Sequence, residues 1–241
     1  KESSAASDVY KRQVADIAAR GKVPILVGGT GLFIDSFIDH IQFAHVQTNP
    51  DLRRELLAKD GAELYRTLQQ VDPTAAAEIH PNNKNRVVRA LELYYAGITK
   101  TAQNAASRRE DSPYEALYFV LRYRDRQVLY DRINARVDAM LAAGLVEEAR
   151  QAYAACGPTA RQAIGHKELL PYLEGSEPLE TAVERLKQET RRYAKRQITW
   201  FKRRQGTVVL EPDTMDTERL IAAATAQAED FLYGKDKGKR A

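Results

Sequence analysis

Basic residues carry the strongest chemical signal in this sequence of 241 residues. The segment from Arg185 to Arg204 contains nine lysines and arginines and one acid, a net charge of +8, whereas the whole chain carries only +4. Basic residues gathered on an otherwise acidic chain are typical of proteins that bind a polyanion such as RNA. A solvated helix face is the ordinary alternative. Because acids within this segment are too few for pairing along a helix, we predict that these side chains contact phosphates.

The basic segment lies on a predicted helix that runs from Pro178 to about Arg204. Its inward seam follows steps of four and three residues, through Leu179, Val183, Leu186, Thr190, Tyr193, Gln197 and Trp200. The basic side chains flank this seam. Trp200 and its neighbour Phe201 have rings that can stack on a nucleobase. The position of Trp200 on the seam favours packing in the core instead.

A second group of arginines surrounds an apolar strand predicted over residues 116–121. It consists of Arg122, Arg124, Arg126, Arg132 and Arg136. Arg132 and Arg136 are four residues apart on the predicted helix that follows, so they share a face. Pairs of guanidinium groups bind diphosphates well. The alternative is a surface ion pair with Asp131 or a neighbour, and composition alone favours that alternative.

A glycine-rich turn, Gly28 to Gly31, follows the apolar run 23–27, which we predict to be a buried parallel strand. Leu32 to about His40 is then predicted to be a helix. Ligands of open α/β sheets bind beyond the carboxyl ends of the strands, where glycines let the backbone approach an anion. A tight turn with positive φ is an equal alternative. The phosphate-loop pattern G-x-x-x-x-G-K-[ST] occurs nowhere in the chain.

The order of predicted elements indicates an α/β core interrupted by helices. Helices are predicted over 8–20 and 125–144, and strands over 116–121 and 208–210, whereas the region 42–112 has helical spacing and no strand-like alternation. Residues 101–113 are polar, and we expect a loop there. We therefore predict an α/β core of residues 1–41 and 113–241, with a helical insertion at 42–112.

Several functional classes are excluded or disfavoured by composition. No apolar run approaches the length of a membrane span. A single cysteine, Cys156, excludes an internal disulfide and favours a cytoplasmic location. His80 and His166 have no further ligand at metal-binding spacing, so we predict no metal site built by the chain itself.

Several motifs, in the same order, resemble the bacterial tRNA dimethylallyltransferase (tRNA isopentenyltransferase) family. They are PILVGGTGLF from Pro24 to Phe33, Asp72-Pro73, IHPN from Ile79 to Asn82, RVVRALE from Arg86 to Glu92, LYDRINARVDAML from Leu129 to Leu141, AIGHKE from Ala163 to Glu168, and TRRYAKRQITWF from Thr190 to Phe201. The resemblance covers nearly the whole chain, and several motifs in order are far more specific than any one of them.

The resemblance implies a P-loop NTPase-like parallel-sheet core with an all-helical insertion that contacts the tRNA anticodon arm. It also implies transfer of a dimethylallyl group from its diphosphate to N6 of the adenosine 3′ to the anticodon, with the base flipped into a channel. Mg²⁺ would help the diphosphate leave. Its ligands would come from the diphosphate and from an amino-terminal segment of the family that this chain lacks.

The resemblance also assigns site residues by position. The implied tRNA contacts are Thr30, Arg53, Asn85, Arg86, Val87, Val88, Arg89, Ala163, Ile164, Gly165, His166, Lys167, Glu168, Lys195, Arg196, Gln197, Ile198, Thr199, Trp200, Phe201 and Lys202. Arg136 is the candidate that holds the leaving diphosphate, with Arg191 in reserve. We expect a monomer.

Two departures from the family pattern affect the expected activity. The family's amino-terminal segment, with its phosphate loop and the aspartate that acts as base on N6, is absent, so we expect no turnover by this chain alone. His166 and Phe33 stand where the family usually has tyrosine, and both keep a ring. Two alternatives stay open: a non-catalytic basic RNA-binding protein, and an enzyme that prenylates free adenine nucleotides. The size of the helical insertion argues against the second.

Overall fold

The computed structural model of this protein describes residues 2–39, 49–107, 112, 114–157 and 161–237. The chain divides into two compact units, residues 1–116 and 117–241. The predicted insertion boundaries at 42 and 112 fall at or beside residues outside the described ranges, so the predicted domain division stays a prediction.

The first unit consists of helices. They are α1 (Glu2–Ala19), α2 (Gly31–Ile38), α3 (Pro50–Ala58), α4 (Gly61–Val71), α5 (Pro73–Glu78), α6 (Lys84–Tyr95) and α7 (Lys100–Ser107). Short polar residues begin several of them. The carboxylate of Asp60 accepts hydrogen bonds from the N–H groups of Ala62 and Glu63 at the start of α4, and Asn83 does the same for Arg86 in α6. The sequence-based prediction of helices here is confirmed.

Helices α3, α4, α5 and α6 enclose one apolar core. Leu56, Leu64, Leu68 and Leu91 are almost completely buried in it. The hydroxyl of Tyr65 donates to the carbonyl oxygen of Ala76 at 2.8 Å, which joins α4 to α5. This core fixes the face of α6 that remains outside it.

The predicted strand at 23–27 is wrong. These residues have no regular secondary structure, and Ile25 and Val27 are 84% and 88% exposed. An apolar run indicates a tendency to be buried, but a strand also needs a neighbouring strand to accept its backbone hydrogen bonds. Within the described ranges, no strand lies beside residues 23–27 to form backbone hydrogen bonds with them.

The predicted loop at 101–113 is wrong over its first part, because α7 continues to Ser107. The backbone and the side chain of Thr101 both donate hydrogen bonds to the carboxylate of Asp72. The N–H donates to Oδ2 at 3.0 Å, and the hydroxyl donates to Oδ1 at 2.5 Å. Gln103 is buried beside this anchor. A partner far along the chain therefore starts a helix that the polar composition alone does not predict. Residues 108–111 and 113 lie outside the described residues.

Replacing Asp72 with alanine is expected to lower the free energy of unfolding by about 2–3 kcal/mol, since it removes the cap of α5 and leaves Thr101 without its acceptor. Burial would raise the pKa of Asp72, but hydrogen bonds from Thr101 and Ala75 outweigh it and hold the pKa below 3.8. The stabilisation is therefore complete above that pH and is lost as the pH falls through the folded-state pKa. Urea unfolding at neutral and acidic pH tests this; an equal loss at both would contradict it.

The second unit contains a two-stranded parallel sheet. Strand β1 (Tyr118–Leu121) pairs in parallel with β2 (Thr207–Leu210), with Tyr118 opposite Thr207 and Leu121 opposite Leu210. Between and after them lie α8 (Arg126–Ala142), α9 (Leu145–Ala155), α10 (Leu170–Leu173), α11 (Leu179–Phe201) and α12 (Thr217–Lys237). The predicted mixed α/β class is confirmed by this parallel pair with helices in its crossover.

The start of α8 is fixed by two aspartates. Asp125 caps the helix through the N–H of Gln127 at 2.7 Å, as the sequence predicted. The carboxylate of Asp213, just after β2, accepts the N–H groups of Asp125 and Arg124, and these bonds lower its pKa. The two strands and the first turn of α8 are thereby linked at one edge of the sheet.

The core of this unit lies between α8, α9 and α11. Val137, Leu145, Leu169, Ala182 and Leu186 are buried there. Nowhere in the described part of the chain is a helix both long enough and apolar enough to span a bilayer.

Candidate nucleic-acid interface

Two arginines of the first unit converge on one buried carboxylate. The Nη1 atom of Arg53 in α3 donates to both oxygens of Glu92 at 3.0 and 3.1 Å, and the Nη1 atom of Arg89 donates to Oε2 at 3.1 Å. The Glu92 side chain is 9% exposed, whereas those of Arg53 and Arg89 are 44% and 42% exposed. One buried charge therefore orients two guanidinium groups that remain accessible to a ligand.

The exposed side of α6 extends this positive surface. Asn85 and Arg86 are exposed, and Arg86 lies one turn before Arg89. Val87 and Val88 are completely buried in the apolar core, so their side chains do not reach a ligand. Their side chains hold α6 in place instead, because the helical period turns them away from the arginine face. Their assignment as RNA contacts is thus not supported by a side-chain contact and stays a prediction for the backbone alone.

The basic helix α11 has more acidic partners than counting along the sequence suggested. Arg185 pairs with Glu177 at 2.5 Å, Lys187 pairs with Asp138 of α8 at 2.7 Å, and Arg192 pairs with Glu189. Glu177 and Asp138 lie outside the segment 185–204. The expectation that pairing could not explain these charges is therefore wrong for three of the nine residues.

The charge that remains uncompensated lies toward the carboxyl end of α11. Lys195, Lys202 and Arg203 are exposed, and within the described ranges their side chains have no acidic partner. Arg196 lies over the ring of Tyr193, with 5.7 Å from Cζ to the ring centroid. Lys195 and Lys202 are seven residues apart, so they lie on one line along the helix. We name Lys195, Lys202 and Arg203 the α11 basic group.

The remaining predicted contacts on α11 are divided between surface and interior. Gln197, Ile198 and Trp200 are half-buried, and Thr199 is exposed with its hydroxyl donating to the carbonyl oxygen of Lys195 at 2.9 Å. Phe201 is half-buried, with its ring centroid 6.1 Å from that of Tyr118. Packing against β1 is thus the role that the structure gives to Phe201.

The AIGHKE segment forms a closed turn between α9 and α10. Glu168 is buried, and its Oε2 accepts the N–H of Gly165 at 2.9 Å, where Gly165 has a φ of +107°. Ala163 and Lys167 are exposed and Ile164 is half-buried. Gly165 and Glu168 therefore shape the turn from inside. Because both are buried, the structure does not support their assignment as direct RNA contacts, and that assignment stays a prediction.

His166 has an acidic partner that the sequence did not reveal. Its Nε2 lies 3.1 Å from Oε1 of Glu148, which lies 18 residues earlier on α9. One histidine with one carboxylate does not make a metal site. Across the described residues, no three histidine, cysteine, aspartate or glutamate side chains come together to bind a metal. The described residues therefore offer no site that would hold Mg²⁺ through protein side chains alone, since this ion binds through several oxygen ligands.

The two candidate arginines for the diphosphate differ in their surroundings, and both assignments stay predictions. Arg191 on α11 donates to Oδ1 of Asn134 on α8 at 2.6 Å. Arg136 is exposed and follows Asn134 by two residues, which places it on the opposite side of α8.

The glycine-rich turn from Gly28 to Gly31 was expected either to approach an anion or to be a tight turn with positive φ. Gly28, Gly29 and Gly31 are not among the glycines with positive φ. Thr30 is exposed and precedes α2 with extended backbone, and its side chain makes no capping hydrogen bond. The positive-φ interpretation of this turn is wrong, whereas the assignment of Thr30 as an RNA contact stays a prediction.

The sequence model of the IPP transferase family matches residues 7–204. This chain belongs to the IPP transferase family. A tRNA dimethylallyltransferase from Exiguobacterium sp. is 49% identical over 195 residues, which cover 78% of this chain and 61% of that relative. The chain therefore spans only part of the length of this relative.

Two solved structures resemble this member of the IPP transferase family. The full-length tRNA isopentenylpyrophosphate transferase from Bacillus halodurans has a TM-score of 0.64 and 35% identity over 98% of this chain and 75% of its own. A eukaryotic dimethylallyltransferase acting on tRNA has a TM-score of 0.74 and 28% identity over 95% of this chain and 61% of its own. The fold class implied by the resemblance, a P-loop NTPase-like core, is confirmed.

Sequence reasoning on this IPP transferase homologue missed Glu92 and Lys100. Glu92 stood inside the RVVRALE motif, but nothing along the sequence pairs it with Arg53, 39 residues earlier. Lys100 stood between Gly97, where the preceding helix was expected to end, and the loop expected at 101–113. Its half-buried position at the start of α7 becomes visible only when that helix packs against α5 and α6.

Proposed function

We propose that this chain binds the tRNA anticodon arm and belongs to an enzyme that transfers a dimethylallyl group from dimethylallyl diphosphate to N6 of the adenosine 3′ to the anticodon. The observation that carries the proposal is the presence of orientated, accessible arginines on Glu92 in a member of the IPP transferase family. The α11 basic group supports it independently, because its charge lacks acidic partners among the described residues.

The proposed reaction makes specific demands on the site. A bond forms between N6 and C1 of the dimethylallyl group, the bond from C1 to the diphosphate oxygen breaks, and the diphosphate leaves with the electron pair while N6 loses a proton. Guanidinium groups stabilise the negative charge that develops on the leaving group. We propose Arg136 for that role, with Arg191 as the alternative. The target base must leave its stack to reach the reaction centre.

Mg²⁺ remains part of this proposal, with diphosphate oxygens as its main ligands, because the described carboxylates do not cluster. When bound, the ion would neutralise charge on the leaving diphosphate. A monomeric state and a cytoplasmic location also belong to the proposal.

We predict that the 241-residue chain binds an unmodified anticodon stem–loop RNA with an affinity that falls steeply as salt rises. Each phosphate contact lowers the slope of log K against log salt by about 0.7–0.9. Fluorescence anisotropy over a series of salt concentrations measures this, with an unrelated hairpin of equal length as the control. Equal affinity for both RNAs, or no binding at low salt, would contradict the role in anticodon-arm binding.

The same preparation tests the chemistry. Incubation with full-length unmodified tRNA, dimethylallyl diphosphate and Mg²⁺, followed by nucleoside mass spectrometry, detects isopentenyladenosine directly. A tRNA with guanosine in place of the target adenosine is the matched control. Product from this chain would establish the transfer, whereas specific RNA binding that is indifferent to dimethylallyl diphosphate and gives no product would favour the non-catalytic RNA-binding alternative.

A further inference from the structure

Two polar contacts on successive turns join helices α8 and α11. The Nζ atom of Lys187 on α11 lies 2.7 Å from Oδ1 of Asp138 on α8, and the Nη1 atom of Arg191 donates to Oδ1 of Asn134 at 2.6 Å. On each helix the two residues are four apart, and the pairs run in opposite directions, so both contacts lie on one antiparallel seam. Asn134, which no sequence-based prediction included, therefore determines where the guanidinium group of Arg191 lies.

The two contacts on this seam differ in charge. Asp138 compensates the charge of Lys187, whereas the partner of Arg191 is a neutral amide, and among the described residues no acidic side chain pairs with Arg191. Arg191 and Asn134 are both half-buried. An aspartate has the shape of an asparagine and would accept the same hydrogen bond while neutralising the arginine. The amide therefore fixes the direction of the guanidinium group and leaves its positive charge uncompensated.

Compensation of positive charge decreases along α11 toward its carboxyl end. Lys187 has an acid and Arg191 has an amide, whereas Lys195, one turn further, is exposed and has no acidic partner within the described ranges. Like charges four residues apart on a helix repel each other. A half-buried guanidinium group without a counterion also loses part of its hydration. An anion bound beside Arg191 and the α11 basic group would remove both costs.

We propose that Asn134 is a positioning residue that orients Arg191, with its charge uncompensated, to bind a phosphoryl group. The inference rests on the proposed function and adds to it a residue that acts through Arg191. Phosphoryl oxygens fit because a guanidinium group can donate two parallel N–H bonds to them. The single Nη1 bond to Asn134 leaves other N–H groups of Arg191 for that contact. Two sources provide such a group, the RNA backbone and the diphosphate of the prenyl donor.

The test compares the 241-residue parent chain with Asn134→Asp and Asn134→Ala. Asn134→Asp keeps the hydrogen bond and neutralises Arg191, so we expect it to weaken binding of the phosphoryl ligand about 5- to 10-fold. Asn134→Ala leaves the charge of Arg191 but no longer orients it, so we expect a smaller loss of about 2- to 3-fold. A purely structural role of Asn134 predicts the reverse order, because alanine removes the contact between the helices and aspartate keeps it.

The matched control is Gln227→Glu. Gln227 is an exposed amide on α12 of the same unit, so its replacement changes the net charge as much as Asn134→Asp does. We expect it to change each affinity less than about 2-fold. Fluorescence anisotropy with anticodon stem–loop RNA and calorimetric titration with inorganic diphosphate measure the two sources separately. The urea midpoint of Asn134→Asp should equal or exceed that of the parent, since an ion pair replaces a neutral hydrogen bond.

A loss of affinity for RNA alone assigns the phosphoryl group to the RNA backbone, a loss for inorganic diphosphate alone assigns it to the prenyl donor, and a loss for both means that Arg191 accepts either. A larger loss in Asn134→Ala than in Asn134→Asp, equal losses in Asn134→Asp and Gln227→Glu, or a lowered urea midpoint of Asn134→Asp would each overturn the inference. If the parent binds RNA and Asn134→Asp binds both probes equally well, the proposed function stands and only this inference fails. A parent that binds neither probe overturns both.

Discussion

Replacing Lys195, Lys202 and Arg203 together with glutamine is expected to lower the affinity of this chain for anticodon stem–loop RNA on the order of 10²-fold. Each residue is exposed, and a contact with one phosphate contributes about 1 kcal/mol, near the upper end for an exposed ion pair. Three such contacts give this factor. The slope of log K against log salt, which is negative, should become less steep by roughly two to three.

The matched control removes the same charge from arginines that already have acidic partners. Arg20 pairs with Asp16, Arg150 with Glu147, and Arg219 with Asp216. Their triple replacement by glutamine should change the affinity no more than about 3-fold, because each local field is already compensated. Equal losses in the two triple variants would show that net charge, and not the α11 basic group, determines binding.

Features that depend on neighbours along the chain could be predicted from the sequence. Asp125 caps α8 because its carboxylate needs only the N–H two residues later. Gly21 and Gly97 end helices with φ values of +68° and +88°, which other residues rarely adopt. The helical spacing of Leu64 and Leu68 placed both in the core, as the structure has them.

Features that depend on distant partners could not be predicted. The run 23–27 has strand-like composition, but a strand forms only with a neighbour, and sequence composition does not report one. Lys187 of α11 pairs with Asp138, which lies on α8 and 49 residues earlier in the sequence. The charge count along one segment therefore overstated how much of α11 is available to a polyanion.

The candidate site shows the same division. The resemblance selected Arg53 and Arg89 as RNA contacts by position, and both are accessible. It also selected Val88 and Glu168, which are buried. A motif match does not distinguish a residue that touches a ligand from one that holds its neighbour, because both are constrained by the same structure.

Replacing Glu92 with alanine is expected to lower the free energy of unfolding by about 2–3 kcal/mol. The change removes three charge-assisted hydrogen bonds, of which the two from Arg53 join α3 to α6 and the one from Arg89 lies within α6. The value lies at or below the lower limit of the roughly 3–5 kcal/mol for breaking a buried ion pair, since Arg53 and Arg89 can regain water at their exposed sides. Urea denaturation measures the loss.

The control for this prediction is Glu55→Ala. Glu55 is on α3 and pairs with Lys59, but its side chain is 63% exposed. Its replacement should alter stability by no more than about 0.5 kcal/mol. A comparable loss in both variants would mean that burial of Glu92 contributes nothing beyond an ordinary surface pair.

The RNA affinity of Glu92→Ala is a second test, in which two effects of the substitution act in opposite directions. Removing a negative charge should strengthen RNA binding through electrostatics alone, by about 0.5 kcal/mol at a distance of about 7 Å in water. Losing the Glu92 carboxylate that Arg53 and Arg89 share should weaken RNA binding. Each arginine side chain would then be ordered only when RNA binds, at a cost of about 0.5–1.5 kcal/mol. Because two arginines depend on Glu92, positioning outweighs charge, and we expect weaker RNA binding from a variant that is more positive than its parent.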